Sequence, residues 1–164
     1  MQVLVAAASK HGGTREIGEE IAAELVAAGI DADYRDIDEV DSLAGYDAVV
    51  LGSGLYMGHW LDAARKFAGR HEAELSSRPV WLFSSGPLGD EVIAGEPDTD
   101  IAHLAEEVHA RDQHIFAGRL DPDDLGFRER LIVRVVHAPT GDFRPWEDIT
   151  EWARTIAADL KAGT

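Results

Sequence analysis

Apolar positions along the 164-residue chain follow two different periods. Short continuous runs at residues 3–7, 48–51, 80–83 and 114–117, with a more polar candidate at 31–37, have the length of strands. Between them the spacing becomes helical. Residues 14–28 put Ile17, Ile21, Leu25 and Ala28 on one stripe and close at Gly29, a suitable residue just past a helix end. Residues 60–75 carry Leu61, Ala64, Phe67 and Ala68 inward, and residues 99–110 do the same with Ile101, Leu104 and Val108. The last helical pattern, 146–160, presents Ile149, Trp152, Ala153, Ile156 and Leu160. Five strands alternating with helices predict an α/β fold, with a parallel sheet between two helical layers and right-handed crossovers.

Such a sheet binds its ligands at the carboxyl ends of the strands, beside the point where the strand order reverses. Three predicted loops fall there. The first, Ser9-Lys10-His11-Gly12-Gly13-Thr14, sets glycines between two hydroxyls at a helix start, where bare N–H groups and the helix dipole favour an anion such as phosphate. It has neither the G-x-x-x-x-G-K-[ST] spacing of a nucleoside triphosphate loop nor the G-x-G-x-x-G of a dinucleotide fold. The alternative is structural: Thr14 as a helix N-cap and the glycines as a tight turn.

In the second loop, residues 52–60, Gly54, Leu55, Tyr56, Met57, Gly58, His59 and Trp60 place two aromatics and a methionine among glycines. Outside any regular apolar period, that composition suggests a platform for a flat ring, since Tyr and Trp stack while keeping a polar edge. A plug at the strand end is the competing reading. The third loop, residues 84–90, holds Ser85, Gly86, Pro87, Leu88, Gly89 and Asp90, whose backbone groups could read a ring edge. Together the three point to one ligand with a phosphate and a flat ring.

Taken together, these residues resemble the flavodoxins. Ser9, Gly12 and Thr14 match that family's phosphate loop, [ST]-x-x-G-x-T, and the loops at 52–60 and 84–90 fall where the family holds its flavin ring. The resemblance implies a flavodoxin-like three-layer α/β/α sandwich, strand order 2-1-3-4-5, and FMN as cofactor; the same order with FMN at its switch point is the standard example of the ligand rule. A narrower resemblance, carried most specifically by Gly-Ser-Gly-Leu-Tyr-Met-Gly-His-Trp at 52–60, is to the flavodoxin-like, quinone-dependent protoporphyrinogen IX dehydrogenases of bacteria. It implies an oxidoreductase passing electrons from a porphyrinogen to a quinone or other acceptor.

Composition narrows the chemistry further. Without cysteine there can be no disulfide, cysteine-held metal cluster or thiol catalysis, so redox chemistry must come from an organic cofactor. The length suits one domain, residues 1–164. No apolar run approaches the ~18 residues that cross a bilayer, which leads to the expectation of a cytoplasmic protein. A formal charge of −16 repels phosphate backbones, so nucleic acid is not expected as a partner. The acidic balance, with three lysines against twelve arginines, suits a low-potential electron donor, and equally solubility at high salt or a GC-rich genome.

Residues 118–145 form an insert where a crossover usually needs only ~2–6 residues. Within it 127–137 reads as amphipathic, and the narrower resemblance, whose insert at this place is basic, implies Arg128, Arg130 and Arg134 as candidates for porphyrin propionates or an acidic partner, at most in peripheral contact with a membrane. Compared with the resembled subfamily, the insert is short of lysines and aromatics. The alternative is an apolar side that covers the sheet while the arginines pair with nearby acids. Among seven histidines, His103 and His109 are wrongly spaced to share a face, His71 and His114 lie in polar sequence, and no metal site is expected. Only His59 has a catalytic claim, as a proton relay or a contact to the ring edge. Three functions compete: an FMN oxidoreductase with its own small-molecule substrate, an electron-transfer flavodoxin serving a protein partner, and a flavodoxin-fold binding module that has lost FMN.

Overall fold

Strand β1, Gln2–Ala8, is apolar from Val3 onward and buried on both faces, as a central parallel strand must be. The computed structural model describes residues 1–10, 12–56, 59–86, 99–117, 119–120, 141–142 and 144–163. Beside β1 run β2 (Asp31–Asp36) and β3 (Ala48–Tyr56). A two-residue β4 (His59–Trp60) folds back on β3, which pairs on its other side with β5 (Val80–Ser85), followed by β6 (Asp112–Phe116). The parallel strands lie in the order β2-β1-β3-β5-β6, which is 2-1-3-4-5 when the short antiparallel β4 is set aside. A separate pair joins β7 (Arg119–Leu120) to β8 (Gly141–Asp142).

Alternation along the strands splits the core in two. Val3, Val5, Val50, Trp81 and Phe83 face α1 (Gly13–Ala27) and the C-terminal helix, which buries Ile149, Trp152, Ile156 and Leu160. Leu4, Ala6, Val49, Leu51 and Leu82 face α2 (Asp62–Arg70), α3 (Glu72–Ser76) and α4 (Thr99–Glu107). The C-terminal helix, Trp146–Ala162, is α5 below. Helix α1 stops as its sequence predicts. Gly29 takes φ 89°, its N–H reaches the Val26 carbonyl at 2.9 Å, and the Ile30 N–H reaches that of Leu25 at 3.0 Å.

Three expectations are corrected. The helix predicted over 60–75 starts at Asp62, because Trp60 belongs to a hairpin, and it divides at His71 into α2 and α3. Strand β3 does not stop at Leu51 but runs to Tyr56 through two glycines and a serine, whose backbone keeps pairing with β5. His71 and His114 lie against aromatic rings, although His71 Nδ1 keeps a polar partner in Glu74 Oε1 at 3.3 Å. The first is buried against Phe67 with ring centroids 4.6 Å apart and its Nε2 without a hydrogen-bond partner, and the second lies 4.5 Å from Phe116. The amphipathic segment 127–137, with Arg128, Arg130 and Arg134, lies outside the described residues. Among those described, no helix is long and apolar enough to cross a membrane.

Candidate functional site

Strands β1, β3 and β5 are neighbours in the sheet and run the same way, so the turns at their carboxyl ends share one edge. The turn after β1 is closed by its own atoms. Ser9 Oγ accepts the Gly12 N–H at 3.0 Å, and Gly12 takes φ 85°, a left-handed conformation that a side chain would strain. Its carbonyl accepts the Glu16 N–H at 3.1 Å, so α1 begins at once. Thr14 is therefore not the N-cap but lies in the first turn, 5% exposed. The first N–H groups of α1 have no acceptor within the helix, and the positive end of its dipole lies here.

The second region is held from beneath. Leu55 and Tyr56 pair with Trp60 and His59 in the β3–β4 hairpin. Trp60 departs from the expected platform: only 2% exposed, it donates its indole N–H to Ser84 Oγ at 2.8 Å. Of the two aromatics, Tyr56 is the one with an open ring, 40% exposed. Ser53, which sequence reasoning passed over, ties the hairpin down by accepting the Leu61 N–H at 3.0 Å and donating to the Gly54 carbonyl at 2.8 Å. His59 is exposed opposite Tyr56.

At the third region Ser84 and Ser85 are strand residues, both buried, so Ser84 serves Trp60 instead of a loop. Gly86 takes φ 94° and donates its N–H to the Phe116 carbonyl at 2.8 Å. His11, Met57, Gly58, Pro87, Leu88, Gly89 and Asp90 lie outside the described residues.

The structure brings these regions into contact. A Cβ on Gly54 would stand 3.1 Å from Thr14 Oγ1, so the bare α-carbon lets β3 close on the phosphate-type loop. Lys10 Nζ sits 4.4 Å from the Tyr56 ring centroid, a cation over an aromatic face. A Cβ on Gly86 would stand 3.8 Å from that of Leu55, in ordinary contact. The hydroxyls and N–H groups at the start of α1 fit a phosphate; the exposed Tyr56 ring fits a flat ring, with the Lys10 ammonium beside it.

Sequence reasoning also missed Arg144. Its side chain, 5% exposed, comes from just before α5, donates to Glu16 Oε2 at 2.8 Å and to the Gly13 carbonyl at 3.4 Å, and stacks 4.6 Å from the Trp146 ring centroid. The one available signal is an arginine in front of a helix start, where a cation opposes the dipole. Titration is most displaced at the β2 edge. Burial first, then the hydrogen bond to Asp36 at 3.0 Å, push the Tyr34 phenol well above its ordinary range. Among the described residues no group of three or more His, Asp or Glu could hold a metal ion.

Comparison with known proteins agrees with this fold. The model of the flavodoxin domain family matches residues 4–145. This chain belongs to the flavodoxin domain family. Within it, the chain is 25% identical over 174 residues to the Escherichia coli protein named protoporphyrinogen IX dehydrogenase [quinone], covering 96% of this chain and 95% of that one. A Leishmania major protein of the same name is 27% identical over 163 residues, covering 92% of this chain and 71% of the other. Among solved structures, a flavodoxin from the domain Archaea superposes with a TM-score of 0.66 at 18% identity, over 98% of this chain and 99% of that one. Flavodoxin 2 of Bacillus cereus gives 0.65 at 24% identity with the same coverage. The flavodoxin-like three-layer fold is thereby established.

Proposed function

We propose that this flavodoxin-family chain is an FMN-dependent oxidoreductase, one domain over residues 1–164, that takes electrons from a porphyrinogen-type substrate and passes them to a quinone or other acceptor. The observation that carries the reading is the closure of three sheet-edge regions on one another, Gly54 on Thr14, Lys10 over Tyr56 and Gly86 on Leu55. Similarity over most of the chain to proteins named protoporphyrinogen IX dehydrogenase supports the substrate class.

FMN, when bound, supplies the electron-transfer chemistry of its ring; the protein supplies position and electrostatics. In this reading Ser9, Lys10, His11, Gly12, Gly13 and Thr14 take the phosphate through hydroxyls and N–H groups. Residues 54–58 and 85–90 flank the ring, Tyr56 by its open face, and Trp60 with Ser84 keeps the hairpin rigid from below. His59, opposite Tyr56, stands where a proton could be passed at the ring edge. Arg128, Arg130 and Arg134 offer charge-assisted contacts to propionates. The setting is cytoplasmic, and nucleic acid is not a partner.

The net charge of −16 favours a second reading, an electron carrier that docks basic redox proteins. One experiment separates the two and also tests for loss of FMN. The purified protein is loaded with FMN, gel-filtered, and given protoporphyrinogen IX without oxygen. Retained flavin absorption that disappears faster than in a free-FMN control is the expected result. Flavin that persists unchanged favours the carrier, and absence of retained flavin overturns both redox readings.

A further inference from the structure

A cation beside the first turn of a helix lies against the dipole, and burying it adds a desolvation cost. Arg144 has both features. Its side chain is 5% exposed, whereas its ion-pair partner Glu16 is 45% exposed, and the guanidinium also reaches the backbone carbonyl of Gly13. Glu16 compensates the charge, yet a carboxylate in the first turn would already have suited the dipole without it.

The Gly13 contact shows what the arginine accomplishes. A peptide unit is planar and its C=O and N–H point in opposite directions, so fixing one fixes the other. Gly13 opens α1, so the helix already points the Thr14 N–H out of the first turn, and Arg144 Nη1, 3.4 Å from the Gly13 carbonyl, braces that peptide from outside the helix. The stacking of the guanidinium on Trp146 anchors this arrangement to the start of α5, on a different element from the helix start it braces.

We propose that Arg144 is a positioning residue for the phosphate subsite: by bracing the Gly13 carbonyl at the start of α1 it keeps the Thr14 N–H aimed at the phosphate of FMN. This rests on the FMN reading above. The prediction is selectivity for the phosphate over the rest of the cofactor.

The test measures FMN and riboflavin affinity by fluorescence quenching for the wild-type apoprotein, Arg144→Gln and Arg144→Lys, with thermal unfolding of each without ligand. A charge-assisted contact of this kind is worth roughly ten-fold or more in affinity. The expected outcome is that Arg144→Gln loses about that factor for FMN, while riboflavin affinity moves less than about two-fold. Arg144→Lys, which keeps the charge but not the fork, should recover part of the loss. Equal losses for both ligands, or unchanged FMN affinity with a lowered melting temperature, would overturn the proposal and leave Arg144 as a tie between α5 and α1. Inorganic phosphate serves as a separate probe. Wild-type protein that binds neither FMN nor phosphate overturns the FMN reading and this one with it, whereas phosphate-induced stabilisation that vanishes in Arg144→Gln supports the role of Arg144 even if FMN is not retained.

Discussion

At residues 9–14 the backbone is held by its own neighbours: Ser9 Oγ receives the Gly12 N–H, Gly12 turns left-handed, and the Gly12 carbonyl starts the helix. At residues 53–60 the chain is held from the core, through the buried Trp60 bonded to Ser84 and the Ser53 hydroxyl bonded to Leu61. The first region owes its shape to local sequence and the second to strands and rings distant in the chain. Changes in the first should therefore act on the ligand more than on the fold, and changes in the second should act on both.

The largest break in that contrast should come from Gly52→Ala. The new methyl would overlap the ring of Phe83, itself buried and packed on Phe116 and Trp152. Overpacking of this kind costs about 1–3 kcal/mol, and the upper end is expected here, read as a fall in thermal midpoint. Trp60→Phe comes next. It removes the indole N–H from Ser84 Oγ, a loss of about 1–2 kcal/mol in chemical denaturation, and loosens the hairpin that carries Tyr56.

Gly12→Ala tests the local side. A side chain forced to φ 85° costs roughly 1–2 kcal/mol, and the penalty should appear with a larger loss of FMN affinity than Trp60→Phe produces, measured by titration. The smallest effect on stability is expected for Tyr56→Ala, within about 0.5 kcal/mol because the ring is already exposed. That change should still weaken riboflavin and FMN alike, by roughly three- to ten-fold, the worth of one aromatic contact. An unfolding free energy that drops as far in Tyr56→Ala as in Trp60→Phe would erase the distinction between the open and the buried aromatic.

The sequence by itself determined the alternation of strands and helices, the stripe of Ile17, Ile21 and Leu25, the stop at Gly29 and the turn at 9–14, because each depends on residues within a few positions of one another. It misplaced what depends on distant partners. Glycine at 52 reads as a loop, yet it is strand, because its backbone pairs with β1 and β5, and it is glycine because the Phe83 ring occupies the space of a side chain. Trp60 reads as a ring platform, yet a serine of β5 draws its indole into the core. His71 reads as a histidine in polar surroundings, although the break between α2 and α3 leaves its ring buried against Phe67. Arg144 carried almost no signal at all, since its partners Gly13 and Glu16 lie at the far end of the chain and meet it only when α5 packs on α1. Period and turn chemistry are local properties of the chain, whereas which side chain is buried, and which backbone group a cation holds, is decided only when the layers close.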